Sequence, residues 1–122
     1  MQAIQDMWKK IGVNAELQSQ EWKVFLTTRV QKQFELARDG WNADYVDPMT
    51  FLDMFQSTSD QNNCGYNNPS YDALIDAAKK ELDPQKRFDI MHQAEDMLMN
   101  DMPVIPLYYY TCLLYTSLSG LA

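Results

Sequence analysis

Residues 38–48, RDGWNADYVDP, gather the side chains of this 122-residue chain best suited to holding a small polar ligand. Asp44 can offer a carboxylate to a cation. Trp41 and Tyr45 can supply apolar surface around it, lowering the local dielectric and strengthening an ion pair. A turn needs no tryptophan and a buried strand rejects an aspartate, so position decides between two readings. In one, the loop leaves a sheet beyond the carboxyl end of a strand, where open α/β sheets bind ligands. In the other, Asp44 makes a local turn bond and Trp41 plugs the core.

Catalytic chemistry has little to work with. The sole histidine, His92, lies mid-helix in DIMHQAEDM, far in sequence from Cys64 and from any plausible nucleophile. It reads as a solvated or half-buried helix histidine. Glu95 and Asp96 are adjacent, so on a helix they face different directions and read as a solvated surface. Cys64 and Cys112 have neither CxxC spacing nor a histidine partner nearby, and read as two unrelated thiols. There is no P-loop, dinucleotide glycine fingerprint or zinc spacing. The eight methionines recur at helix core positions and read as packing. These residues give no expectation of an enzyme, a cofactor or a metal.

The elements that must position Asp44 follow from periodicity. Ile4, Met7, Trp8 and Ile11 recur at helical spacing, and Gly12 stands where a C-terminal cap belongs. Val13, Ala15 and Leu17 alternate with polar residues, as in a strand. Trp22, Phe25, Leu26 and Val30 return to helical spacing, and Phe34, Leu36 and Ala37 lead into a second strand ending near Trp41. Strand, helix, strand predicts a parallel βαβ unit with a right-handed crossover. Asp47-Pro48, Asn68-Pro69 and Asp83-Pro84 each place a capping side chain before a proline, a helix start signal. The three helices would bury Phe51, Leu52 and Phe55; Tyr71, Leu74, Ile75 and Ala78; and Phe88, Met91, Ala94 and Leu98. An Asn- and Ser-rich loop fills 57–70, and PVIPLYYY at 103–110 reads as a last strand. The fold class expected is therefore α/β.

Bulk properties narrow the partners. A chain of this length can bury a real core, and 46% hydrophobic with 22% charged residues is ordinary globular composition. The net charge of −7 and pI near 4.4 would repel a phosphate backbone, which argues against a nucleic-acid partner. No apolar run approaches the roughly 18 residues of a membrane span. The start, MQAIQDMWKK, lacks the continuous apolar stretch of a signal peptide.

Four stretches, MWKKIGVNAELQSQEWKVFL, ARDGWNADYVDPMTFL, YDALIDAAK and PVIPLYYY, resemble the C-terminal lobe of periplasmic oligopeptide-binding proteins. These are the peptide-specific members of the extracellular solute-binding proteins that serve ABC transporters. The similarity runs in order and nearly gap-free from about Ala3 to Tyr110, and GWxADYxxP is its most specific part, pointing to oligopeptides over nickel or haem. The resemblance implies part of one lobe of a two-lobed periplasmic-binding-protein fold (class II-like) over residues 1–111.

The resemblance also implies a mechanism. The family's aspartate matching Asp44 pairs with the peptide α-ammonium, and such capture of an N-terminus sets register without reading side chains. The peptide lies extended and bonds to main chain like an added strand. Trp41 and Asn42 would line its path, Tyr110 matches a cleft-lining tyrosine, and Arg29 and Arg38 match arginines near the ligand carboxylate. A surface ion pair is the alternative for Arg29. Certain relatives carry histidine in place of Val30 and cysteine in place of Asn42, so pocket polarity differs there.

The partners implied are an oligopeptide and the permease subunits of an ABC transporter. The full-length protein would be a monomer in the periplasm or at the outer face of the cell membrane, with its signal peptide outside this fragment. Alternatives are a dipeptide or murein-peptide receptor, or a stand-alone partner-binding α/β module. The end of the chain departs from the rest: no charged residue follows Asp101, and CLLYTS resembles an in-frame translation of a sequencing-library transposon adapter. Residues 112–122 are expected to be a non-native tail that packs poorly and touches no site.

Overall fold

The computed structural model describes residues 1–109. Five α-helices occur among them: α1 (Gln2–Lys10), α2 (Trp22–Val30), α3 (Met49–Leu52), α4 (Pro69–Lys80) and α5 (Pro84–Asp101). A 3-10 turn, Asp53–Phe55, continues directly from α3.

The core is helical. Buried Met49 and Leu52 of α3, Tyr71, Ile75 and Ala78 of α4, and Met91, Ala94 and Leu98 of α5 form one cluster. Phe55, Tyr66, Leu74, Ile90, Met97 and Met99 pack around it. α4 and α5 form its principal helix pair, and α3 rests on α5. Burying a side chain such as Ile75 or Leu98 contributes roughly 1.5–3 kcal/mol. The Tyr71 hydroxyl is buried with them and donates to the Leu52 carbonyl at 2.7 Å, so α4 is tied to the end of α3 without an orphaned polar group.

Two of the three cap-and-proline signals act as expected. Asn68 Oδ1 accepts from the N–H groups of Ser70 and Tyr71, and Asp83 Oδ1 accepts from Lys86 N–H at 3.0 Å. The third is displaced by one residue. Pro48 occupies the cap of α3, while Asp47 Oδ1 still accepts from Met49 N–H at 2.8 Å. Within α3 Met49, Thr50 and Leu52 are buried, while Phe51, expected inside, is exposed. Phe88, expected inside, is also exposed; it lies in the first turn and a half of α5.

Gly12 ends α1 as expected, with φ +84°. Its N–H reaches the Lys9 carbonyl and that of Val13 reaches Trp8, a Schellman closure. α2 ends the same way without a glycine: Lys32 takes φ +56°, and the N–H groups of Lys32 and Gln33 reach Arg29 and Thr28.

The expected strands at 13–18, 34–41 and 103–110 show no strand pairing among the described residues. A strand exists only through a neighbour that satisfies its main-chain groups, and among the described residues none of these segments pairs with such a neighbour. Val13–Gln18 is instead anchored to α1, where Gln5 Nε2 donates to the Ala15 carbonyl at 2.6 Å. Neither α1 nor α2 contains a buried residue. The βαβ expectation is thus replaced, within these residues, by helices joined through unpaired segments. The expected tail at 112–122 lies outside the described residues.

Candidate functional site

The loop that carries Trp41, Asp44 and Tyr45 is fastened at its far end and near its middle. At its far end Arg87 of α5 grips Asp47 with two parallel bonds, Nη1 to Oδ2 at 2.8 Å and Nη2 to Oδ1 at 2.9 Å. That guanidinium, with help from Met49 N–H, holds the Asp47 carboxyl below the usual carboxylate range, and Asp47 in turn raises Arg87. Near the middle, the Thr50 hydroxyl oxygen accepts from the Trp41 indole N–H at 3.4 Å and from the Asp44 backbone N–H at 3.2 Å. Thr50 is buried.

Beside the loop lies a concavity of about 350 Å³. Trp41, Asp44, Tyr45 and Thr50 form one wall, Asp53 and Met54 lie on the 3-10 turn, and Gln56, Thr58, Ser59 and Gln61 with Lys79 complete the rim. The opposite wall is pinned to α4. Ser57 N–H donates to Asp72 at 2.9 Å, Gln56 Nε2 to Asp76 at 3.0 Å, and Lys79 Nζ to Gln56 Oε1 at 2.7 Å. Behind it, buried Asn62 closes the loop: its amide donates to the carbonyls of Phe55, Gln56 and Tyr66 and accepts from Tyr66 N–H.

The charges divide clearly. Asp53 accepts from the Tyr45 hydroxyl at 3.3 Å and lies 3.8 Å from the Lys79 ammonium. Burial, then the negative charge of Asp53, raises the Tyr45 phenol, which keeps it a donor. The Asp44 carboxylate is exposed. Among the described residues no side chain or main-chain group bonds to it; the loop uses only its backbone N–H. An unengaged carboxylate that shares a concavity with Trp41 and Tyr45, on a backbone held by Thr50, can accept charge-assisted bonds from a cation.

Of the residues expected at a ligand site, Trp41 and Asp44 are brought together on this concavity. Asn42 is exposed beside them without lining it. Arg29 is paired with Asp39 at 2.7 Å, and its guanidinium lies 5.8 Å from the Phe25 ring centroid. Arg38 is exposed, and Tyr110 lies outside the described residues. His92 is exposed on α5, 3.6 Å from Glu95.

Thr50 and Arg87 were not expected at the site. Thr50 had a visible signal, as the one hydroxyl in the apolar run MTFL. Arg87 had none, because it is 40 residues from its partner.

Comparison with known proteins places this geometry in context. Residues 1–63 match the family described as bacterial extracellular solute-binding proteins, family 5 middle. The dipeptide-binding protein DppE of Bacillus subtilis is 42% identical over 110 residues, 89% of this chain and 20% of DppE. The periplasmic oligopeptide-binding protein OppA of Salmonella typhimurium is 43% identical over 109 residues, 88% of this chain and 20% of OppA. The chain therefore spans about one fifth of the length of these relatives. Among solved structures, Haemophilus influenzae OppA in complex with the peptide RPPGFSPFR superposes with a TM-score of 0.85 at 33% identity, covering 88% of this chain and 22% of that one. The unliganded open form of the murein tripeptide-binding protein MppA gives 0.81 at 38% identity, covering 83% and 20%.

Proposed function

Since the chain belongs to the family 5 bacterial extracellular solute-binding proteins, we propose that it forms part of one lobe of a peptide receptor serving an ABC importer. In this reading the receptor works outside the cytoplasmic membrane, in the periplasm or at the outer face of the membrane, captures an oligopeptide and passes it to permease subunits. It acts as a monomer and performs no catalysis. The observation that carries the proposal is the Asp44 carboxylate, unengaged and bracketed by Trp41 and Tyr45, in a chain similar to oligopeptide- and dipeptide-binding proteins.

Every ordinary peptide of either length carries an α-ammonium at its first residue. A fixed carboxylate can bind that group whatever side chains follow, with charge-assisted bonds worth roughly 1.5–3 kcal/mol each. Trp41 flanks the ammonium, and Asn42 lies on the path of the main chain beyond it. Arg38, with Tyr110, serves the more distant parts of the ligand. Arg29 would reach a ligand carboxylate only by exchanging Asp39 for it. Two lobes closing by a hinge would complete the cleft, a motion for which periplasmic binding proteins are the standard example.

The test is calorimetry on the full-length protein carrying this segment, with free and N-acetylated forms of one peptide. Asp44→Asn keeps the shape and removes the charge. Affinity for the free peptide should fall by roughly 10- to 100-fold, or about 1.4–3 kcal/mol. The acetylated peptide should bind the unaltered protein poorly and respond little to the substitution. Equal losses for both peptides would make Asp44 a structural turn residue.

A further inference from the structure

Thr50 is the second residue of α3, directly after the site loop, with 2% of its surface exposed. A hydroxyl oxygen has two lone pairs, and here both are taken, by the Trp41 indole N–H and the Asp44 backbone N–H. One buried atom thus fixes the aromatic wall of the concavity and the backbone from which the carboxylate projects. Its own position is set by α3: Thr50 N–H bonds to the Asp47 carbonyl, and Asp47 is clamped by Arg87. The chain of contacts runs from α5 through Asp47 and Thr50 to Asp44 with no exposed flexible side chain in between.

We propose that Thr50 is a positioning residue for ammonium capture: its hydroxyl holds Trp41 and the Asp44 backbone in the arrangement that presents the carboxylate to the ligand. The proposal rests on the reading of Asp44 as the ammonium partner. Thr50 lines the concavity, yet with 2% of its surface exposed and both lone pairs engaged it has little to offer a ligand directly. It acts by removing motion from Asp44, so that less freedom is lost when a peptide binds. A valine of the same shape would fill the volume yet accept from neither N–H, and both donors would be left to find other partners. Serine keeps the acceptor and loses only a methyl group.

The experiment measures the affinity of free and N-acetylated peptide for the full-length protein and its Thr50→Val, Thr50→Ser and Asp44→Asn variants. Thr50→Val should weaken the free peptide by about 5- to 20-fold and the acetylated one by less than about 2-fold. Thr50→Ser should restore most of the difference. On the Asp44→Asn background, Thr50→Val should add little further loss, because coupled residues are not additive. Should the valine variant fail to fold, Thr50→Cys, a near-isostere with a weak acceptor, carries the same comparison. Equal losses for both peptides with Thr50→Val or its substitute, or no loss, while Asp44→Asn remains selective, would overturn the positioning role and leave the ammonium reading intact. A non-selective Asp44→Asn would remove the reading itself and the proposal with it.

Discussion

Arg87 and Asp47 meet across 40 residues of chain in a fork-to-fork pair with bonds of 2.8 and 2.9 Å. The pair is partly buried, so it is neither a solvated surface contact nor a fully desolvated one. Its geometry matters more than its charge: a planar guanidinium fixes the carboxylate in orientation as well as in distance. Because Asp47 also accepts from Met49 N–H, the same carboxylate starts α3 and docks it on α5.

The first prediction concerns this pair. Arg87→Lys keeps the charge but cannot form the fork, so it should behave as a loss and not as a conservative change. In a double-mutant cycle with Asp47→Ala and Arg87→Ala, urea unfolding should return a coupling of about 1–3 kcal/mol. Coupling below about 0.3 kcal/mol, the scale of additivity between independent sites, would reduce the pair to an incidental contact.

The second prediction is the acid dependence. Asp47 is held below its ordinary value first by the Arg87 bond and then by Met49 N–H. A depressed folded value means the carboxylate's contribution is fully present above its unfolded value, about 3.9. It is lost as pH falls through the folded value. Asp101, held low by the Tyr66 hydroxyl and Asn68, moves in the same direction. The urea midpoint should therefore fall as pH drops from about 5 toward 2, and Asp47→Asn should flatten that slope. At the alkaline end Tyr66 is pushed up to about 12 by burial and by Asp101. Its contribution holds below the unfolded value near 10 and fades as pH rises through about 12. Tyr66→Phe should reduce that alkaline fall, leaving the part due to Tyr45 and Tyr71, which are raised in the same direction. An acid slope unchanged by Asp47→Asn would show that the pair does not survive in solution.

Local chemistry made much of the helical core readable. Asn68-Pro69 and Asp83-Pro84 announce α4 and α5 because a side-chain oxygen and a missing N–H are properties of adjacent residues. Tyr71, Ile75, Met91, Ala94 and Leu98 announce their burial by spacing alone. Strands are different, since alternation in Val13–Leu17 encodes a face but not a partner, and pairing needs a second segment at a set register. The site was half legible for the same reason. Trp41 and Asp44 stand out as residue types that neither a turn nor a strand requires, whereas their alignment depends on Arg87, which no local pattern connects to Asp47.

The third prediction concerns Asn62, which bonds to three carbonyls and one main-chain N–H from a buried position. Its amide offers two N–H donors and an acceptor oxygen from one side chain, and the site uses both ends. Asn62→Asp would set a carboxylate against the same carbonyl oxygens, with no hydrogen to offer at neutral pH. It should destabilise more than Asn62→Ala, which leaves polar groups unpaired at about 1–3 kcal/mol. Urea midpoints of the two variants decide the order. An Asp variant as stable as the Ala variant would mean water enters and takes over the amide's bonds.

The last prediction separates what this segment can do alone from what it needs. α4 and α5 share a core in which Tyr71, Ile75, Ala78, Met91, Ala94 and Leu98 are buried. α1 and α2 are nine residues each and bury nothing fully. Helices shorter than about 12–15 residues are marginal in water without tertiary support. Val30 and Trp22 are mostly exposed, at 71% and 60%, so that support is absent from the described residues. In the isolated 122-residue chain, hydrogen exchange should be slow over α4 and α5 and fast over α1 and α2. In the full-length protein all four should be protected. Ligand binding should divide the same way. A micromolar complex corresponds to about 8.2 kcal/mol, and half of that interaction leaves about 4.1 kcal/mol, which is millimolar. Calorimetry should then find at most millimolar peptide affinity for the isolated chain, even with Asp44 held by Thr50. Micromolar binding there would show that one face of the cleft suffices, and that closure by a second lobe adds little.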